Sequence, residues 1–223
     1  IGADAAFEVA VARQDAGGDD VIAVDRCADR RGERAGIADA GGAAVTDKVE
    51  AHLVEKGLET GLFVHAQIRA LAQTGIMGAN LHAPYGAGIS AQALLRAVEI
   101  VAGACGSTVS ALTAHYLATD SLHLGADPAL QARFLPDAAV GTKLGAFALT
   151  ERNAGSDPAD MKTKAMREGD SYRLKGAKCF ISNGGVADFL VVYAVTDPNA
   201  GSRGVSAFVV DNATVGAMMV LGV

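Results

Sequence analysis

The polar loop that follows an apolar run within residues 145–157 has the clearest potential for chemistry. The apolar run reads Gly-Ala-Phe-Ala-Leu-Thr and the loop reads Glu-Arg-Asn-Ala-Gly-Ser-Asp, with Gly155 beside Ser156. Such a loop can expose backbone N–H groups and a hydroxyl to an anionic ligand, as phosphate-binding loops do. An ordinary junction between a strand and a turn has a similar composition. On the pattern alone, the ordinary junction is the better interpretation.

A second glycine-rich segment, residues 86–91, matches the G-x-G-x-x-[GA] pattern of dinucleotide-binding proteins. That pattern requires a β-strand before it and an acidic residue about 20 positions after it. Residues 80–84, Asn-Leu-His-Ala-Pro, make a poor strand, and residues 106–108 contain no acid. A glycine-rich entry to a helix explains the segment better.

Other signatures of catalysis and metal binding are missing from the sequence. It contains neither the G-x-S-x-G elbow of hydrolases nor a P-loop, which disfavours both classes of enzyme. The five histidines do not cluster with cysteines or acidic residues at metal-ligand spacing, so no metal site is predicted. These histidines are His52, His65, His82, His115 and His123.

Composition narrows the class of protein. Half of the 223 residues are hydrophobic and the net charge is −6, which disfavours a nucleic-acid partner because phosphate binding needs a basic surface. The apolar runs are too short for a membrane span, and no secretory signal is visible. Three widely spaced cysteines, Cys27, Cys105 and Cys179, suit unpaired thiols in a reducing compartment. The expectation is a soluble cytoplasmic protein that contacts neither nucleic acid nor membrane.

The elements that would position the loop begin with helices in residues 62–142. Ser90 is a good N-cap for a long helical stretch, and Asp127 followed by Pro128 predicts the start of another helix that Pro136 ends. An earlier helix is predicted to stop at Gly75. The long stretch carries apolar residues three or four positions apart, at Leu94, Val98, Val101, Cys105, Val109, Leu112 and Tyr116. Gly103 and Gly106 interrupt it, and they would either let a neighbouring helix approach closely or mark a bend.

After Gly141 the pattern changes to short strands separated by turns. The predicted strands are residues 144–149, 163–167, 171–176, 178–182, 189–196 and 205–210. Their spacing, without helices between them, indicates an antiparallel barrel or sandwich over residues 143–223. The predicted fold class is therefore α+β, a helical bundle unit followed by an antiparallel β-barrel-like domain. Residues 1–61 show little sustained apolar periodicity, so they are left unassigned and expected to be poorly ordered.

Two segments of the β-domain resemble the acyl-CoA dehydrogenase family. Residues 147–157 resemble its signature, aromatic-x-[LV]-T-E-P-x-A-G-S-D, and residues 178–185 resemble its second flavin segment, K-x-[WF]-I-[TS]-N. The spacing between the segments also fits. Shorter matches upstream extend the resemblance over about residues 62–223, at residues 76–78, 84–86, 105–108 and 134–136.

The resemblance implies a fold of three domains and an established chemistry. An N-terminal helical domain and a middle β-domain would be followed by a C-terminal four-helix domain, which is expected to be absent here. The reaction implied is α,β-desaturation of an acyl-CoA thioester, in which FAD accepts the β-hydrogen as hydride. Because the family's catalytic glutamate lies in the C-terminal domain, no catalytic residue is assigned, and the chain alone is expected to be inactive.

Cofactor-binding residues follow from the same resemblance. The backbone of Phe147, Ala148, Leu149 and Thr150, with the Thr150 hydroxyl, would contact the flavin ring, and Glu151 belongs to the same motif. Ser156 would bind near the FAD phosphates and also help to bind the CoA substrate. Phe180 and Ile181 belong to the second segment, in which Phe180 would pack on the isoalloxazine and the Ser182 hydroxyl would reach the N5 region.

Departures from the family pattern and competing functions complete the hypothesis. Arg152 occupies the usual place of proline, Phe180 occupies that of the commoner tryptophan, and residues 1–60 do not resemble the family's opening helices. In full-length form the protein would pass electrons to an electron-transfer flavoprotein and form a dimer or tetramer. The alternatives are an acyl-CoA oxidase or a monooxygenase of the same fold, or a non-catalytic fragment. The preferred acyl chain cannot be read from these residues.

Overall fold

The computed structural model describes residues 6–11, 22–24, 44–45, 47–49 and 64–211. Four α-helices have defined bounds: α1 (Val64–Ala72), α2 (Ala91–Ala104), α3 (Gly106–Gly125) and α4 (Pro128–Ala139). The two predicted N-caps are confirmed, since the Ser90 hydroxyl accepts from the Ala93 N–H and the Asp127 carboxylate from the Leu130 N–H. In the described part of the chain, each helix is too short or too polar to cross a membrane.

Two helix boundaries differ from the predicted ones. The long apolar stripe is divided between α2 and α3, because Cys105 adopts an extended backbone (φ −157°, ψ 110°). The prediction that Pro136 ends its helix is wrong, because α4 continues to Ala139. Pro136 removes one hydrogen bond close to the end of α4, and burial of the neighbouring Leu135 and Ala138 side chains offsets that loss.

Seven strands form one mixed sheet. They are β1 (Ala6–Val11), β2 (Ile22–Val24), β3 (Gly145–Ala148), β4 (Lys164–Glu168), β5 (Ser171–Ala177), β6 (Phe189–Val195) and β7 (Val205–Asp211). The order is β1-β5-β4-β6-β7-β2, and β3 pairs with β6 beside this path. The predicted helical unit followed by a β-domain is confirmed, with pairings that are mainly antiparallel and become parallel at β3–β6 and β4–β6.

The strand predicted at residues 178–182 is wrong. These residues form an irregular loop in which Phe180 (φ 55°) has a left-handed backbone. The Cys179 N–H donates to the Thr150 carbonyl (3.0 Å) rather than to a sheet ladder. Tertiary contacts of the loop therefore override the apolar alternation of the sequence.

Strands β1 and β2 fall in the segment to which the sequence assigned no element. They add to the sheet along β5 and β7, in antiparallel register. Edge strands of this kind are ordered largely by backbone pairing with a neighbour, which leaves a weak signal in their own sequence. The rest of the prediction for residues 1–61 lies mostly outside the described residues.

The two faces of β6 divide the core. Phe189 and Val191 pack toward α3 and α4, where the rings of Phe134 and Phe189 lie 5.3 Å apart. Leu190 and Val192 point to the opposite face and pack with Phe208 and other side chains of the sheet. A third cluster, around Leu71, Met77 and Leu112, fills the helical unit. Alternation along one strand thus places the helices on one face of the sheet, close to β3.

Candidate functional site

The start of β3 is held by two side chains. The Gly145 N–H donates to His115 Nδ1 (3.0 Å), and the Gly145 carbonyl accepts from Asn183 Nδ2 (3.1 Å). Asn183 also donates to the Ala111 carbonyl on α3 (2.8 Å). A Cβ at position 145 would lie 2.7 Å from Phe189 Cζ and 2.9 Å from Ala118 Cβ, so only glycine fits without a shift. This contact fixes β3 against α3.

His115 has an electrostatic state that suits this contact. Its side chain is fully buried, and burial lowers its pKa to about 4. The imidazole is therefore neutral near pH 7. Since Nδ1 accepts the Gly145 N–H, the proton is assigned to Nε2.

Beyond Gly145, the edge of β3 opposite β6 is not paired with any described strand. Leu144 exchanges hydrogen bonds with Asp188 at the start of β6, through its own N–H and carbonyl. Because backbone groups point to alternate sides along a strand, Gly145 and Phe147 direct theirs away from β6. Phe147 thus presents one donor and one acceptor at this edge, while its ring contacts Tyr193 (5.1 Å between centroids). A planar ligand with an amide-like edge could pair with these two groups.

The two segments singled out in the sequence lie side by side after β3. The Thr150 carbonyl accepts from the Cys179 N–H (3.0 Å), which joins the first segment to the second. Glu151 and Ala154 exchange two backbone hydrogen bonds (2.9 and 3.2 Å), so the first segment turns sharply at this point. The pattern of hydrogen bonds brings the end of the signature loop next to the Phe180 segment.

A buried ion pair lies beneath this junction. Lys178 Nζ donates to Glu151 Oε1 (2.8 Å) and to the Leu149 carbonyl (2.9 Å), and the two charged side chains are 1% and 6% exposed. Glu151 also accepts from the N–H groups of Lys162 (2.7 Å) and Thr163 (3.0 Å). Both carboxylate oxygens are therefore engaged by the protein.

The pKa values of this pair follow from burial and hydrogen bonding. Burial alone would raise the pKa of Glu151, but hydrogen bonds from Lys178, Thr163 and the Lys162 backbone outweigh it and hold that pKa below its usual value. Burial lowers the pKa of Lys178, and the contact with Glu151 opposes that effect. Glu151 is thus an ionised structural partner and not a poised base.

Three hydroxyls and one aromatic ring of the predicted set are available to a ligand. Within residues 64–211, the hydroxyls of Thr150, Ser156 and Ser182 receive no hydrogen bond from another protein group. The Phe180 side chain is 71% exposed on its left-handed backbone. A large exposed aromatic beside free hydroxyls and an open strand edge fits a flat, polar-edged cofactor such as FAD.

The other predicted residues occupy different positions. The side chains of Ala148 and Ile181 are buried in the β-domain core, so only their backbones could face a ligand. Leu149 is half-buried, and its carbonyl is engaged by Lys178. Ser156 lies on the exposed outer part of the loop, just before the short 3₁₀ helix Pro158–Asp160.

Three residues that organise the site were not identified from the sequence. They are His115, Lys178 and Asn183. The Asn183-Gly184-Gly185 run indicates only a turn, and an isolated histidine in a helix gives no signal for a contact 30 residues away. Lys178 stands in the second motif, whose lysine could have suggested a partner for the Glu151 of the first. Within the described ranges, no group of three or more His, Cys, Asp or Glu residues is arranged to hold a metal ion.

Comparisons with known proteins agree with this geometry. The family model "Acyl-CoA dehydrogenase, N-terminal domain" matches residues 34–142, and "Acyl-CoA dehydrogenase, middle domain" matches residues 146–220. The match to the family therefore begins before residue 62, in a part of the chain where the sequence motifs showed no resemblance. A short-chain-specific acyl-CoA dehydrogenase of Clostridium acetobutylicum is 40% identical over 69% of this chain and 41% of its own length. A cyclohex-1-ene-1-carbonyl-CoA dehydrogenase of Geobacter metallireducens is 43% identical over 71% of this chain and 42% of its own length.

A solved structure supports the same assignment. A crystal structure described as an FAD-dependent dehydrogenase matches 78% of this chain and 47% of its own, with a TM-score of 0.68 and 30% identity. The chain spans about two fifths of the length of the curated relatives named above. Matches to both domain models in the expected order, together with these relatives, show that the chain belongs to the acyl-CoA dehydrogenase family.

Proposed function

We propose that the protein is an FAD-dependent acyl-CoA dehydrogenase that desaturates the α,β bond of an acyl-CoA thioester. The observation that carries this proposal is the contact between residues 147–157 and 178–185, the two flavin-like segments that resemble the family's flavin-binding motifs. They meet through the Cys179 N–H and the Thr150 carbonyl. That contact joins the segment that carries the Thr150 hydroxyl to the segment that carries Phe180 and the Ser182 hydroxyl, which supports a shared ligand site. Family membership supplies the reaction class.

The residues of this chain would share the work of holding FAD. The Phe147 backbone and the Thr150 hydroxyl would pair with the polar edge of the flavin ring, and Phe180 would cover one of its faces. Ser182 would donate near N5, and Ser156 would bind the phosphates and the CoA substrate. Bound FAD would supply the electron sink for the β-hydrogen.

Removal of the α-proton is assigned to a carboxylate outside the described residues. In the family pattern, that glutamate belongs to the C-terminal domain. Glu151 does not take this role in our proposal, because its pKa is lowered and both of its oxygens accept hydrogen bonds from the protein. The chain's own contribution is to bind and orient the cofactor and the thioester.

The partners proposed are acyl-CoA and an electron-transfer flavoprotein, with a dimer or tetramer as the assembly and the cytoplasm as the location. The two curated relatives act, by their names, on short-chain and on cyclic acyl-CoA. The acyl group is therefore left open, and substrate panels should include straight and cyclic thioesters.

The test is an anaerobic titration of the natural gene product that contains this chain. We expect it to bind FAD, and its visible absorbance to bleach when a suitable acyl-CoA is added but not with the matching free acid. Reoxidation by an electron-transfer flavoprotein, with slow oxygen consumption, is the expected second half-reaction. A protein that binds no FAD, or whose bound flavin no acyl-CoA reduces, would contradict the proposal, and rapid oxygen consumption would favour the oxidase.

A further inference from the structure

The Glu151–Lys178 pair has a distribution of contacts that stability alone does not explain. Its hydrogen bonds reach two separate stretches of backbone, at Leu149 and at Lys162 with Thr163, from side chains carried by the first and second motif segments. The contacted groups lie outside the strands, since Leu149 follows β3 and residues 162 and 163 precede β4, just beyond its last pairing with β5 at Lys164. The pair therefore gives irregular loops the partners that a β-sheet would otherwise supply.

Burying this ion pair costs free energy, because both charged groups lose their hydration. Side chains that are 1% and 6% exposed have lost nearly all of their hydration, and a buried ion pair often adds no stability over a well-packed apolar pair. An apolar pair of equal volume, however, could not hydrogen-bond the Leu149 carbonyl or the two N–H groups of residues 162 and 163. What the charges provide here is a fixed geometry of the surrounding loops.

The position of the pair relates it to the ligand groups. Leu149, which Lys178 binds, immediately precedes Thr150, and Lys178 itself precedes the exposed Phe180 and Ser182 by two and four residues. The Cys179 N–H, next to Lys178 in the chain, donates to the carbonyl of Thr150, next to Leu149. Any displacement of Lys178 would thus move both flavin-like segments relative to each other.

We propose that the Glu151–Lys178 pair is the positioning element that fixes the Thr150 and Ser182 segments relative to each other, and through them sets the affinity and the geometry of flavin binding. This inference rests on the proposed function. Neither residue is catalytic, because each acts through the groups it holds. The two opposite charges cancel, and the pair holds the two segments in a fixed relative position.

A surface pair in the same domain provides a matched control. Glu168 accepts from Arg173 Nε (2.7 Å) and Nη2 (2.9 Å), with side chains 46% and 38% exposed. This pair joins β4 and β5, which are already paired through their backbones. Its geometry is as good as that of the buried pair, but it holds no loop of the candidate site.

The variants are Lys178→Met, Glu151→Gln and the control Glu168→Gln, all in the natural gene product that contains this chain. Glu151→Gln keeps the volume but places an amide N–H₂ against one of the backbone donors of residues 162 and 163, so at least one hydrogen bond is lost. Glu151→Gln is also the milder change, should Lys178→Met fail to fold. Each variant is measured for FAD affinity, for visible circular dichroism at saturating FAD, and for hydrogen exchange of its backbone amides.

We expect both buried-pair variants to bind FAD about tenfold to a hundredfold more weakly, while Glu168→Gln stays within about twofold of the parent. Their bound flavin should show altered circular dichroism at saturation, which a purely structural role would not produce. Amide exchange should rise at residues 162, 163 and 179 but not along β6 and β7.

Unchanged FAD affinity and spectrum in folded Glu151→Gln would overturn the proposal, as would unchanged exchange at those three amides. If the parent protein binds no FAD, the proposed function fails and the proposed effect on flavin binding fails with it, while exchange still decides whether the pair braces the loops.

Discussion

Single side chains determine which groups of the site remain available to a ligand. The backbones of Glu151 and Ala154 are paired with each other, and the Glu151 carboxylate is consumed by Lys178 and the backbone of residues 162 and 163. The hydroxyls of Thr150 and Ser182, within residues 64–211, are left for a ligand. Because the other polar groups named here already have hydrogen-bond partners in the protein, a ligand would be recognised by these two hydroxyls.

Ser182 is the residue whose hydroxyl we expect to matter for the rate. In the natural gene product that contains this chain, Ser182→Ala should slow flavin reduction by acyl-CoA about fivefold, the effect of losing one hydrogen bond worth about 1 kcal/mol. Stopped-flow absorbance under anaerobic conditions measures this rate. Ser110→Ala, an exposed change on α3, should leave it unchanged. A Ser182→Ala enzyme with the parent rate and flavin spectrum would rule out the role.

His115 should make the folded state sensitive to acid. Its pKa of about 4 in the fold lies below the unfolded value of 6.5, so its contribution to stability is complete above pH 6.5 and is lost as pH falls toward 4. The loss should approach about 3 kcal/mol below both pKa values. Urea unfolding at several pH values measures it. His115→Asn should unfold with a weaker pH dependence than the parent between pH 6.5 and 4, and a pH dependence equal to that of the parent would contradict this assignment.

Among the elements, β3 depends most on its neighbours. It has four residues, pairs only with β6 among the described strands, and begins at the glycine that contacts α3. Its position is set by the side chains of His115 and Asn183 rather than by a long ladder. The helical unit thus determines where the candidate site begins.

Gly145→Ala tests the close approach of β3 to α3. Its new Cβ would lie within 3 Å of both Phe189 and Ala118, so we expect a loss of about 1–3 kcal/mol in the free energy of unfolding. Gly103→Ala is the matched control, because a Cβ at that helical position meets nothing within 4 Å. It should be neutral or stabilise by up to about 1 kcal/mol. Equal stability of the two variants in urea unfolding would show that α3 can move away from β3 without cost.

The elements also show what a sequence can and cannot predict. The caps at Ser90 and Asp127 are local, and both were predicted correctly. Residues 178–182 were predicted as a strand because their apolar residues alternate. They form a loop instead, in which the buried Lys178 binds Glu151, 27 residues earlier in the chain. Contacts at such separation leave no periodic signal, and this is also why His115 and Asn183 were missed.

The helical unit and the sheet share one core in the molecule as a whole. Phe189 of β6 is fully buried against Phe134 of α4, and Ser121 of α3 bonds the Tyr193 hydroxyl (2.9 Å). Junctions of this kind couple the unfolding of neighbouring units. The family resemblance predicted the order of the domains, but these contacts required the structure.

Phe189→Ala tests this shared core. Removing a fully buried ring should cost about 3–5 kcal/mol, and the helical and β signals should still be lost in one transition at a lower urea concentration. Far-UV circular dichroism follows the helices, and amide hydrogen exchange along β6 and β7 at each urea concentration follows the sheet. Leu124→Ala, at a side chain 71% exposed, should change stability by less than about 0.5 kcal/mol. Separate transitions would show that the two units are energetically independent.

Because Gly145 is held in place, whether a residue of β3 has an odd or an even number decides which side of the strand its backbone groups face. From that fixed point, odd-numbered residues present their amides to the open edge and even-numbered residues present theirs to β6. Deleting Ala148 would therefore shift every later residue by one step, so that Leu149 would turn toward β6 and Thr150 would take the outward place, although no ligand-facing side chain had been removed. A deletion of two residues would restore the alternation. A change of one residue in the length of this strand would thus exchange the backbone groups at the open edge for those that face β6.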